Sequence, residues 1–352
     1  MAGTAAAHAQ QPRWCKSRTG TAWRRVLGRH IVPLSRTTSL VPWTLANDGR
    51  SFFATVYSPA FSGVARVNAT TKTMTRIRAF PEPANDQADG AFDGRWLVWD
   101  EFHGFDSFND FTVWAWDSRS GQVREIGAAA RGPDGRFWTS FWRQADVRDG
   151  IATWVQGSGP DQTTQLHVYD LRTNTGRIIR SGHPLSPFLL DGRLVVWPEQ
   201  PFRGARARMY VYSAVTGSRV AVPRALRGLR DVFGLVTDGR RIAYPDGSYK
   251  SLWWSPSLQM AGEKIVAAHG ANHIDNSVQI GGKYIGFGIQ PRLFVGDTKT
   301  RRYVQISRHS GYTRLDSRSL LVLYATGSKQ LGAVAPISFV PLRDLPPMPA
   351  CS

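Results

Sequence analysis

The 352-residue chain has only two cysteines, 26 acidic residues against 44 basic ones, and no long apolar run. Each shortage excludes something. A helix needs roughly 18 consecutive apolar residues to cross a bilayer, and no segment approaches that, so a helical membrane protein is excluded. Thiols confined to Cys15 and Cys351 leave no CxxC metal pair and no thiol in the body of the chain to act as a nucleophile. No GxSxG elbow, HExxH helix, Walker loop or strand-borne GxGxxG is present. Serine–histidine–acid hydrolysis, zincin chemistry and nucleotide cradling therefore have no foothold in the motifs. Disorder is excluded by the opposite quality: 42% hydrophobic residues, with 13 Trp and 17 Phe, supply a sizeable core.

What is abundant is turn material, with 34 Gly and 21 Pro, as suits many short strands. The turns recur. Asp48-Gly49-Arg50, Asp93-Gly94-Arg95, Asp149-Gly150, Asp191-Gly192-Arg193, Asp238-Gly239-Arg240 and Gly281-Gly282-Lys283 follow one another at a mean spacing of about 47 residues, and Asp316-Ser317-Arg318 is a degraded seventh copy. Asp-Gly suits a tight hairpin because glycine accepts positive φ. Each turn leads into an apolar stretch ending near an aromatic, at Trp99, Trp154, Trp197, Tyr244 and Phe287. A further strand then ends in a small polar residue, at Asn68, Asp117, Asp170, Ser213 and Asp297, and a last strand follows. Four antiparallel strands per repeat predict an all-β fold, a single seven-bladed β-propeller. The recurring aromatic then fills the space between neighbouring blades. The seventh repeat is one strand short after PISFV, and residues 30–34 can supply that strand and close the ring.

The units DGRWLVWDEF…FTVWAWDSRSGQVREI and DGRLVVW…MYVYSAVTG resemble the repeats of TolB-type β-propellers of secreted bacterial proteins, over residues 40–340. That resemblance implies a fold and no catalytic signature; such propellers serve as envelope scaffolds, peptidase gates and polysaccharide lyases. Blade five lacks the usual Asp after its third strand and blade seven is degenerate, which leaves counts of six or eight open. The domain reading is a basic, Ala-rich N-terminal tail over 1–29, a propeller over 30–343 and a Pro-rich tail over 344–352. Ala7-His8-Ala9 matches a signal-peptidase site without the preceding apolar region, so residues 1–29 hold either a signal remnant or a plain tail. One cysteine near each end suits a Cys15–Cys351 disulfide in an oxidising compartment, with two separate surface thiols as the alternative.

Chemistry is expected where inter-blade loops and the loops between second and third strands share one face. Those loops carry Glu101, His103, His183 and Glu199 as candidate acid–base residues, and His183, His273 and His309 as a candidate divalent-metal set, with no other cofactor expected. The step from Gly94 to Gly150 is 56 residues, and the extra segment holds Trp138, Trp142 and Arg143, an aromatic–cation group that suits a sugar carboxylate or else plugs the mouth. Charge is uneven. Residues 1–47 hold seven Lys or Arg and no acid, and residues 201–241 hold nine Arg, including Arg206, Arg208, Arg227 and Arg230, against Asp231 and Asp238. A net charge of +18 attracts polyanions. The resulting expectation is a monomeric, secreted or envelope-exposed binding or scaffold propeller whose partner is an acidic polysaccharide or an envelope protein. A polysaccharide lyase or glycoside hydrolase with a His-rich mouth is the alternative, and nucleic acid is the less favoured polyanion.

Overall fold

The computed structural model describes residues 13–17, 20–33, 35–83, 86–104, 109–138, 145–159, 163–182, 187–190, 193–199, 208–229, 234–275, 277–324 and 336–352. They form seven sheets, one per repeat. The blades span 39–79, 86–128, 146–182, 188–213, 236–267, 279–307 and 311–341. Within each, strands pair antiparallel in chain order, and first strands of successive blades meet around a central axis. The seven-bladed propeller expected from the repeats is the fold, and the degenerate seventh copy is a full blade. Blade four is the irregular one: its sheet has three strands. Beyond it, among the described residues, come an isolated bridge from Arg219 to Tyr212 and a 3-10 turn over Arg224–Leu226.

The turn residues act as their chemistry requires. Asp48, Asp93, Asp238 and Asp316 each accept two backbone N–H groups from residues two and three positions on, through one carboxylate oxygen. Gly49 and Gly239 sit at φ 73° and 90°, where a side chain is disfavoured. Blade seven lost its glycine and kept the Asp cap. In blade two the Arg of the turn closes on the Asp that ends the third strand, Arg95 to Asp117 at 3.0 and 2.7 Å. In blade six Lys283 reaches Asp297 at 2.8 Å.

Each joint between blades has its own apolar core. Trp99 lies in the core between blades one and two, Trp154 between two and three, Trp197 between three and four, Tyr244 between four and five, and Phe287 between five and six. All five are buried, as the packing reading expects. Polar ties cross the same joints: Asp93 accepts Gly150 N–H at 2.7 Å, Asp100 accepts Ala145 N–H at 2.8 Å, and Asp146 accepts Leu189 N–H at 2.7 Å.

Both chain ends are built into the ring. β1 (Cys15–Lys16) adds a fifth, parallel strand to the edge of blade six, beside Arg302 and Tyr303. α1 (Thr21–Arg29) follows, and its Trp23 and Leu27, one helical turn apart, bury in the core between blades six and seven. β2 (Ile31–Val32) then pairs with Ser338 and Ile337 as the outermost strand of blade seven, the closure expected of residues 30–34. Reading 1–29 as tail therefore gives way to a strand and a helix from residue 15 onward. The i, i+4 pair Trp23/Leu27 was the signal, masked by the surrounding arginines. The C-terminal segment is likewise fastened: Cys351 is bonded to Cys15 across 336 residues of sequence, and Ser352 N–H donates to Lys16 O at 2.9 Å.

Two predictions follow from this packing. Replacing both cysteines by serine frees a very long loop in the unfolded chain, so denaturant unfolding should show a loss of up to about 5 kcal/mol; unchanged stability would mean β1, α1 and β2 hold the ends unaided. His167 stacks on Trp154 with centroids 5.1 Å apart, and burial pulls its pKa down from 6.5 to about 4. Below pH 6.5 the unfolded chain takes up a proton that the folded one refuses, so stability falls as pH drops from about 6.5 toward 4. The variant His167→Gln should flatten that part of the pH–stability curve.

Candidate functional site

The face carrying the inter-blade loops gathers one tight polar cluster, at the joint of blades one and two. Asp86 opens the first strand of blade two and pairs in register with His103, at the end of the second. Asp86 Oδ1 lies 3.1 Å from His103 Nδ1, and Oδ2 accepts Glu82 N–H at 2.9 Å. His103 Nε2 lies 3.4 Å from Thr112 Oγ1. The Tyr57 hydroxyl donates to the Asp86 carbonyl at 2.9 Å. Burial, with the Asp86 charge adding to it, pushes the Tyr57 pKa up to about 12. Asp110, at the rim, is held above the usual carboxylate range chiefly by burial.

Glu101, two residues before His103, is fully buried and gripped by Arg78 from the outermost strand of blade one, at 2.9 and 3.1 Å. The guanidinium lies 3.6 Å from the Trp114 ring centroid. Glu199 repeats the arrangement at the joint of blades three and four, with Arg180 at 3.0 and 2.6 Å. Its carboxylate in turn holds the Arg180 pKa above its ordinary value. The two glutamates expected as a catalytic pair thus stand two joints apart, each neutralised by a fork-shaped partner. The sequence held this signal. Trp99-Asp100-Glu101 and Trp197-Pro198-Glu199 occupy the same place in their repeats, and Arg78 and Arg180 stand near the end of the preceding blade.

The remaining expected residues scatter. Trp138 is half-buried, its N–H donating to Ala130 O at 2.9 Å, in a small hairpin where Arg131 lies 3.6 Å over the Phe137 ring. Trp142 and Arg143 lie outside the described residues. Arg208 and Arg227 are exposed on blade four and just beyond it; Arg206 and Arg230 lie outside the described residues. His273 and His309 are exposed in two different loops, and His183 lies outside the described residues.

A second concavity escaped the sequence reading. A groove of about 730 Å³ runs between blades five and six, lined by Arg13, Trp14 and Lys16 from the N-terminal segment and by Glu263, Lys264, Asn272, Gln290, Arg292 and Tyr303 from the blades. Trp14 packs edge-on to Trp254, centroids 6.1 Å apart, and its Nε1 donates to Glu263 at 3.2 Å. Arg301 also holds Glu263, at 3.1 and 3.3 Å. Nothing in the repeat pattern brings residues 13–16 to blade six; only the parallel pairing of β1 does.

The protein is thus a seven-bladed β-propeller whose described residues include an ion-paired polar cluster and a basic groove. No family model and no curated protein sequence matches the chain. Among solved structures it is similar to an oligogalacturonate lyase from Vibrio parahaemolyticus, 12% identical at TM-score 0.61 over 88% of this chain and 92% of that one. It is also similar to an oligogalacturonate lyase in complex with manganese, 12% identical at TM-score 0.57 over 88% and 91%. TolB from Acinetobacter baumannii aligns at 13% identity and TM-score 0.44 over 78% and 64%. At such identities the likeness is one of fold, so TolB is among the similar propellers without the TolB type being singled out.

The polar cluster also contains a set of metal-type donors. Asp86, Glu101 and His103 place ligand atoms within 4.8 Å of one another, a set of two carboxylates and an imidazole that divalent metals accept. Its members differ from the expected histidines. Both Glu101 oxygens face the Arg78 guanidinium, and both Asp86 oxygens have partners. An ion would have to displace a fixed positive charge, so the group does not fit a resident metal.

The clamp reading predicts that Arg78→Ala, which strands a buried carboxylate, lowers stability by about 3 kcal/mol, while Arg78→Ala combined with Glu101→Leu recovers most of it. Thermal unfolding of the two variants decides; equal losses would mean that Arg78 matters only through its packing on Trp114.

Proposed function

We infer that the protein is an exported binding propeller that holds an acidic glycan without breaking it. The observation that carries this reading is the use made of the acids. Glu101, Glu199, Asp86, Asp117 and Asp297 are each buried against an arginine, lysine or histidine partner inside the ring. The pairs with arginine and lysine remove cations and acids in equal number, so the +18 excess is undiminished outside them. Such an excess draws polyanions and orients them before contact. Glu101, Glu199 and Asp117 are also poor general acids and bases, because transferring a proton would break the bidentate grip of their arginines. The Cys15–Cys351 disulfide supports an oxidising location in the envelope or outside the cell, where the available polyanions are acidic polysaccharides and the acidic surfaces of envelope proteins. One chain completes the ring, which supports a monomer.

A second reading has one observation behind it. Asp86 orients the His103 ring at the loop-bearing face, as a carboxylate orients a catalytic base, and two of the similar structures are named as oligogalacturonate lyases. In a lyase or hydrolase, His103 would move the proton.

Incubation with polygalacturonate separates the readings. Salt-sensitive retention of the polymer, with no new reducing ends and no absorbance from an unsaturated product, is the expected outcome. Product formation that disappears in His103→Ala would replace the binding reading with the enzymatic one.

A further inference from the structure

We propose that the groove between blades five and six is a binding site for an acidic oligosaccharide; the proposal rests on the glycan-binding reading and gives it a place away from the central mouth. The groove's volume of about 730 Å³ is in the range of sites that enclose small ligands, roughly 300–1,000 Å³. Its charge is one-sided. Arg13, Lys16 and Arg292 are exposed at its edges, and Lys264 adds a fourth cation whose ammonium sits 5.2 Å over the Trp253 ring. The one acid lining it, Glu263, is engaged by Arg301 and by Trp14 Nε1, so no free carboxylate opposes an incoming anion.

The remaining lining narrows the anion's class. Trp14 and Tyr303 are half-buried, with the buried Phe294 beneath them, and offer flat apolar surface of the kind on which the C–H face of a sugar ring rests. Asn272 and Gln290 are exposed side-chain amides on the rim, able both to donate to and to accept from hydroxyl groups. An inorganic anion would use the cations alone. A uronate-type saccharide uses all three: carboxylates on the guanidinium groups, ring faces on the aromatics, hydroxyls on the amides. The site is also composite. Arg13, Trp14 and Lys16 flank Cys15, so one wall is the segment that the disulfide fastens to the C-terminus, and the other wall is the blade itself. A chain lying in the groove would contact both.

The test measures binding of a labelled oligogalacturonate to the full, disulfide-bonded protein at low salt, beside its carboxyl-reduced form and a single-stranded oligonucleotide of matched length. Arg13→Glu with Arg292→Glu should weaken oligogalacturonate binding at least about tenfold, as loss of charge-assisted hydrogen bonds implies. Arg119→Glu with Arg240→Glu makes the same change in net charge at exposed turn residues that do not line the groove and should leave binding intact, and the carboxyl-reduced sugar should not bind. If the wild-type protein binds the sugar and the groove variant binds it as well as the control does, this site is wrong while the glycan-binding reading stands. If wild type binds neither acidic probe, both fall. Tighter capture of the oligonucleotide than of the sugar through Arg13 and Arg292 overturns the saccharide assignment.

Discussion

The blades of this protein are apolar on both faces, and each face is covered chiefly by a neighbouring blade. Such a sheet cannot be the last in a row, so the stack has to bend round and cover its own first member. The joint between blades seven and one obeys the same rule as the others, with Leu321, Ile337 and Phe339 packed against Phe52, Ala54 and Val56. What differs is connectivity: the break in the chain falls inside blade seven, between its third strand (337–341) and its outermost strand β2, which leads on in sequence to blade one. The chain meets the constraint by giving its N-terminal Ile31 and Val32 to blade seven, so the ring is shut by backbone hydrogen bonds between the two ends of one polypeptide.

That closure has to survive twist, and polar groups set its angles. Apolar cores are tolerant of small rotations, whereas a bidentate arginine–carboxylate pair is not. The clamps Arg78–Glu101 and Arg180–Glu199 and the ties made by Asp93, Asp100 and Asp146 each join one blade to the next. Buried charge of this kind contributes little net stability; its effect is to admit one orientation of neighbouring sheets.

The architecture was legible in the sequence because it repeats. Asp-Gly turns at a steady spacing, an aromatic at a fixed place after each, and a missing strand in the last copy sufficed for seven blades and for closure by residues 30–34. The inside role of Trp99, Trp154 and Trp197 followed from the same register. The sites were less legible, because they depend on pairs of residues that the repeat does not relate. Glu101 and Glu199 each meet an arginine, Arg78 and Arg180, from the blade before their own, a pairing that the repeat pattern does not show. The groove needed Arg13 and Trp14 beside Arg292 and Tyr303, which only the pairing of β1 with blade six provides. Helix α1 was hidden for a compositional reason: nine residues with arginine at positions 24, 25 and 29 read as a solvated tail until Trp23 and Leu27 are seen to share one side.

The Cys15–Cys351 bond has a consequence for how this molecule withstands proteolysis. Between those two residues the polypeptide is a covalently closed loop, which holds nearly the whole propeller. A protease that cuts one exposed connection opens that loop without releasing anything: both new ends stay attached through the disulfide, and the blades on either side of the cut remain held by their joints. A nicked molecule would therefore keep its mass and its ring until it met a reductant or a second cut. The bond thus turns most single cleavages into silent events.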